Sequence, residues 1–291
     1  MALTKIEVSS ISDDAISTAK IANSAISTAK IADDAITLAK LAAGTDGELI
    51  TWDAAGNPAA VAVGTATHVL TSNGTGAAPT FQEAAGGGLT SVQVFTSSGT
   101  WTKPAGITKV KVTVVGGGGG GGGAANNQDK GATGGAGGGT AIEFIDVSGT
   151  ASETITIGAG GSGGSAGDNN GSAGGTSSFG SFCSATGGTG GRYPQGSPVG
   201  GTFVNGGVGS GGDINLRGQG GDGWTQGVRA GGGAGGNSFL GGGGASGTGD
   251  GGAGQVGYNG GGGSGAFSAN GTSNYGGGAG GAGTIIVEEY A

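Results

Sequence analysis

Three patterns of apolar and polar positions divide the chain. From 11 to 41 an isoleucine or leucine recurs every five residues, at Ile11, Ile16, Ile21, Ile26, Ile31, Ile36 and Leu41, inside a ten-residue repeat. A spacing of five matches neither the 3.6 period of a helix nor the 2 of a strand. A single thin repeat has no inside, so its apolar row needs another chain to cover it. The pattern predicts a stalk over 1–44, strand-like and intertwined with copies of itself as a homotrimer. A coiled coil is the rival, because Ala15, Ala19, Ala22, Ile26 and Ala29 form a rough three-four stripe.

The second pattern, over 45–88, is a short β-type run followed by an Asx or Gly turn and a proline. It occurs at 47–58 and, with one residue inserted, at 67–79. Both copies predict hairpins. Gly86, Gly87 and Gly88 then make a flexible joint.

The third pattern, over 89–291, starts with strict alternation. In 108–115 Val110, Val112 and Val114 fall on one face, with Lys109, Lys111 and Thr113 on the other. Similar runs at 91–96, 141–147, 152–157 and 284–290 complete a predicted small antiparallel sandwich. Between 158 and 283 almost no further strand signal is visible, so that stretch reads as a long insertion before the last strand. Within the last strand, Glu288 and Glu289 should point to opposite faces.

Composition changes the picture for this third part only. Of 80 glycines, 11 precede Val115. The remainder of the chain lacks the side chains for an ordinary core. Disorder is the usual reading of such a composition. However, the charged fraction is only 10%, and an alternative structure exists. In polyglycine II the backbone is an extended three-residue helix with no internal hydrogen bonds. Its N–H and C=O groups can all pair with neighbouring helices. Runs at 116–123, 158–164, 206–212, 231–236, 241–247, 260–265 and 276–283 would lie side by side as a slab, spanning the segments 116–139 and 158–283. The overall expectation is an all-β chain: intertwined stalk, hairpin neck, and sandwich carrying a polyglycine II bundle.

Charge and motifs exclude several functions. The net charge is −8 with 11 scattered Lys and Arg, so nucleic acid is not an expected partner. No apolar run is long enough for a membrane span. The sole cysteine, Cys183, can make no internal disulfide and reads as a buried filler. The many Gly-x-Gly-x-x-Gly matches lack a following Gly-Lys-Ser/Thr, so no phosphate-binding loop is expected. Asp213, Asp222 and Asp250 lack the nonapeptide period of calcium-binding rolls. His68 has no partner pattern for a catalytic triad. No enzyme activity, metal or cofactor is expected.

At this point the chain resembles bacteriophage tail-fibre and adhesin proteins. The resemblance rests on the decapeptide repeats and on the Leu49-Ile-Thr-Trp-Asp53 and Val69-Leu-Thr-Ser-Asn73 units. It also rests on Val94-Phe-Thr-Ser-Ser-Gly-Thr-Trp-Thr-Lys-Pro104, on Thr176-Ser-Ser-Phe-Gly-Ser181, and on the closing Gly280 to Tyr290 segment. It implies a virion appendage made in a host cytoplasm, bound to other virion proteins through its N-terminal region. It further implies a bacterial surface receptor, either a glycan or an outer-membrane protein. The loops between glycine runs are then the expected contacts: Arg192, Tyr193, Gln195, Asn215, Arg217, Trp224, Gln226, Arg229, Asn237, Phe239, Tyr258, Asn259, Phe267, Asn270, Asn274 and Tyr275. Each aromatic among them could instead clamp the slab from below. Two rival functions are a structural appendage without host recognition and a glycan depolymerase.

Overall fold

A computed structural model describes residues 21, 26–27, 30–31, 46–56, 58–84, 87–126, 130–194, 203–223, 231–247, 251–268 and 273–291. Most of the decapeptide repeat therefore lies outside the described residues. The chain divides into two units, Met1–Ala85 and Gly86–Ala291. Every named element among the described residues is a strand.

In the first unit β1 (Leu49–Trp52) pairs with β2 (Pro58–Val61), and β3 (His68–Thr71) with β4 (Thr80–Glu83), both antiparallel. These are the two hairpin repeats. The first turn is closed by the Asp53 carboxylate, which accepts from the Ala55 N–H at 2.9 Å. A cleft of about 420 Å³ in this unit is lined by Val61, Val63, Pro79 and Phe81.

The second unit begins as a sandwich. Its strands are β5 (Leu89–Phe95), β6 (Gly99–Thr102), β7 (Lys109–Val115), β8 (Lys130–Gly131), β9 (Thr140–Asp146), β10 (Ser152–Thr156), β11 (Ser177–Phe179), β12 (Cys183–Ala185), β13 (Gly209–Ser210), β14 (Ile214–Leu216), β15 (Gly251–Gly252), β16 (Phe267–Ser268) and β17 (Thr284–Tyr290). One sheet has the order β13-β12-β11-β10-β6 and the other β14-β9-β7-β17-β5. The alternating runs supply β5, β7, β9, β10 and β17. The expectation of almost no strand between 158 and 283 needs correction, because β11 to β16 lie there. Each of those has only two or three residues, too short for an alternation to register.

Val110, Val112 and Val114 of β7 are fully buried between the sheets. They share the core with Trp101, Ile145, Ile155, Phe179, Ile285 and Val287. Trp101 and Phe179 pack with ring centroids 5.6 Å apart. Glu289 is also fully buried in this core. Its carboxylate accepts from Trp101 Nε1 and Gln93 Nε2, both at 2.7 Å, and from Ser91 Oγ. Three donors offset the loss of water around this group. Because Trp101 belongs to one sheet and Glu289 to the other, the bond also ties the sheets together. Glu288 faces the other way and meets Lys111 at 2.6 Å.

Cys183 is buried in the same core, where burial and the neighbouring Glu143 push its thiol up to about 12. Burial also raises the Glu143 carboxyl, with Asp213 adding to the rise and the contact with Cys183 opposing it.

The glycine runs 116–124, 158–164, 186–194 and 217–222 continue from β7, β10, β12 and β14, and the runs bond side to side as rods. The rod 116–124, which extends β7, shows the rule. N–H groups of Gly116, Gly119 and Gly122 reach carbonyls of Gly139, Ala136 and Thr133. Those of Gly117, Gly120 and Gly123 reach Gly175, Ser172 and Asn169, and those of Gly118, Gly121 and Ala124 reach Gly281, Gly278 and Tyr275. Successive residues thus bond three different neighbours, and the pattern repeats every third residue. Three more rods donate back: Gly161 and Gly164, Gly188 and Gly191, Gly263 and Ala266. The rod has six neighbours, the number expected of hexagonal packing.

The rods 131–139 and 260–268 have the same surroundings, and the three central rods touch one another. Among the described residues nine further rods ring them: 158–164, 169–175, 186–194, 204–208, 217–222, 231–237, 241–247, 251–258 and 275–283. Consecutive rods run in opposite directions. Every residue of the three central rods is buried. Several outer rods are buried at one residue in three, as at Gly158, Gly161 and Gly164, or Gly188 and Gly191. The exposed third position is where side chains stand, as at Ala159, Ser162, Thr186, Thr189, Ala279 and Ala282. Close approach explains the glycines. A Cβ on Gly121 would collide with the Ser264 carbonyl, and one on Gly118 with that of Gly261.

Candidate functional site

Alternating direction sorts every connection to one of two ends. At the near end the connections are sandwich strands and the tight turns 238–240 and 258–260. At the far end, among the described residues, lie the bends at 166–168 and the three-stranded sheet β15-β16-β8. The expected contact residues therefore do not form one surface.

Arg192, Tyr193, Asn274 and Tyr275 all lie at the far end, on opposite sides of the last turn of the rod 116–124. Tyr275 forms a β-bridge with Ala124. A Cβ on Gly122 would meet the Arg192 carbonyl, and Gly123 donates to the Asn169 carbonyl at 2.8 Å. Arg192 and Asn274 are exposed, and the two tyrosines are half-buried. Gln195, Trp224, Gln226, Arg229 and Asn270 lie outside the described residues.

Asn215, Arg217, Asn237, Phe239, Tyr258 and Asn259 lie at the near end. Asn215 closes the β13–β14 turn through Gly212, and Asn237 Oδ1 accepts from the Gly243 N–H at 2.8 Å. Phe239 and Tyr258 are 56% and 66% exposed. Asn259 sits at φ 44° ahead of Gly260 at φ 85°, a left-handed pair that makes the tight turn into the last central rod. Phe267 corrects the expectation of an exposed loop: it is 3% exposed, with its ring against Gly247 and Gly252. A large ring fits there because two glycines leave it space.

The far end also holds Asp168 and Asn170, which were not among the expected contacts. Asp168 Oδ1 accepts from the Ala125 N–H at 3.3 Å, Asn170 Oδ1 from Tyr193 at 3.1 Å, and Asn274 Oδ1 from Asn126 at 2.8 Å. These side chains cap rod ends, satisfying N–H groups that have run out of neighbouring rods. The signal available was the Asp168-Asn169-Asn170 cluster between two glycine runs.

Among the described residues no group of three or more His, Cys, Asp or Glu is placed to hold a metal ion. Exposed charge at the far end is mixed, with Arg192 against Asp168 and Asp222.

A family model described as a glycine-rich domain matches residues 90–290. The chain belongs to this glycine-rich domain family. The match spans the sandwich and the twelve rods of the described residues, and stops short of the hairpin unit. No curated protein matches the chain.

Proposed function

We propose that the chain is a non-enzymatic fibre protein of a phage virion, and that the far end of its glycine-rich domain contacts a receptor on a bacterial surface. In this reading the rods are polyglycine II helices. The three-residue bonding period supports it, because lateral pairing of all backbone groups is what that helix requires. At about 3.1 Å per residue, a rod of eight residues would hold the loops roughly 25 Å from the sandwich. The repeat at 11–41 joins three copies as a stalk, and the N-terminal region docks on other virion proteins.

One observation supports the recognition part: the described rod ends opposite the sandwich, at Ala124, Asp168, Arg192 and Tyr275, lie at one end of the hydrogen-bonded bundle. Variable loops on a rigid scaffold are a common arrangement for binding. Exchange of 193–203, 223–230 and 269–275 against unrelated loops tests it, with particle adsorption as the readout. Changed adsorption is expected. Unchanged host range would leave a structural appendage with no part in recognition.

A further inference from the structure

We infer that the ligand at the far end is an uncharged, hydroxyl-rich glycan, an inference that rests on receptor binding at that end. The capping bonds decide the chemistry. Asn170 and Asn274 each face a backbone N–H, at 3.1 and 2.8 Å. A backbone N–H donates, so the facing atom of each amide is its oxygen. Their NH₂ groups are therefore turned away from the rods, and both residues are exposed.

Asn169 is held the opposite way. Its Nδ2 donates to the Ser165 and Ala166 carbonyls at 3.4 and 3.3 Å, which turns its oxygen outward. Asp168 uses Oδ1 on Ala125 and keeps Oδ2. The four neighbouring side chains thus present two fixed donors and two fixed acceptors. A phosphate or sulfate would meet the Asp168 and Asn169 oxygens, and an ammonium group would meet the two NH₂ groups. A hydroxyl both donates and accepts, so a run of sugar hydroxyls fits all four. Half-buried Tyr193 and Tyr275 add apolar ring surface beside them, suited to the C–H face of a sugar ring.

The test uses assembled particles and the cells they infect. Cells are treated with periodate, which cleaves vicinal diols, or with protease. In parallel, particles carry Asn170→Asp with Asn274→Asp. These changes keep the oxygen that caps each rod and replace each outward donor by an acceptor. Periodate is expected to abolish adsorption, protease to spare it, and the double variant to adsorb at least tenfold more slowly. Amide protection of 116–124 should be retained in that variant. Loss of adsorption on protease treatment, or normal adsorption by the variant, overturns the glycan ligand and leaves receptor binding at this end standing. Adsorption insensitive to the loop exchange described above overturns both.

Discussion

The sandwich and the glycine bundle share strands yet solve burial in different ways. The sandwich hides side chains: valines, isoleucines and Trp101 exclude water between two sheets. The bundle hides backbone, and its three central rods bury residues that have almost no side chain. Glycine costs about 0.5–1 kcal/mol in extra entropy per residue relative to alanine. A backbone hydrogen bond contributes roughly the same amount net. Bonding alone therefore only balances the cost, and close van der Waals packing between rods must supply the margin. A side-chain core tolerates changes of shape better than a core made of main chain, because side chains can shift and a hydrogen-bonded backbone cannot.

The largest effect should come from the bundle centre. Gly121→Val directs a branched side chain into the Ser264 carbonyl, and a loss of about 4 kcal/mol or more is expected from overpacking. Ser162→Val, on an outward third position, should stay within about 0.5 kcal/mol. Denaturant unfolding of both variants checks the contrast, and equal effects would remove the distinction between central and outer rods. Next comes the sandwich core, where Trp101→Ala should cost about 3–5 kcal/mol. Part of that arises because the Glu289 carboxylate loses a buried donor. Glu289→Gln is smaller, about 1–3 kcal/mol, since the amide loses the carboxylate charge that three donors face and only the Ser91 hydroxyl can turn to accept from the new NH₂.

Glu143 gives the smallest effect and a sign of its own. Its folded carboxyl is raised above the ordinary value. The stability it contributes is therefore fully present below the unfolded value and is lost as pH rises through the folded one. Unfolding midpoints measured across the acid range should show Glu143→Gln gaining slightly on the parent at neutral pH and losing that gain at low pH. A variant that tracks the parent at every pH would place the Glu143 titration outside the folding balance.

The long alternating strands were legible because a two-residue period over seven residues leaves little ambiguity, as in β7. Short strands such as β12 and β13 were not, since two or three residues carry no period. Within the bundle, a local period of three was present in the sequence at 158–165, 187–192 and 277–283, where each non-glycine stands two glycines from the next. It escapes a search for one strict repeat because each rod keeps its own phase. The candidate site was legible as a set of residues between glycine runs, but not as a surface. Arg192 and Tyr275 fall at the far end, while Phe239 and Tyr258 fall at the near end, because only the direction of each rod assigns a loop to an end.

The sequence by itself determined which segments alternate, which lack side chains, and which positions could not form an ordinary core. These follow from local chemistry. Tertiary structure alone decided which rods became central, which end each loop joined, and which way each capping amide turned. Those depend on hydrogen bonds between segments far apart in the chain, and a glycine run specifies no partner until its neighbours are in place.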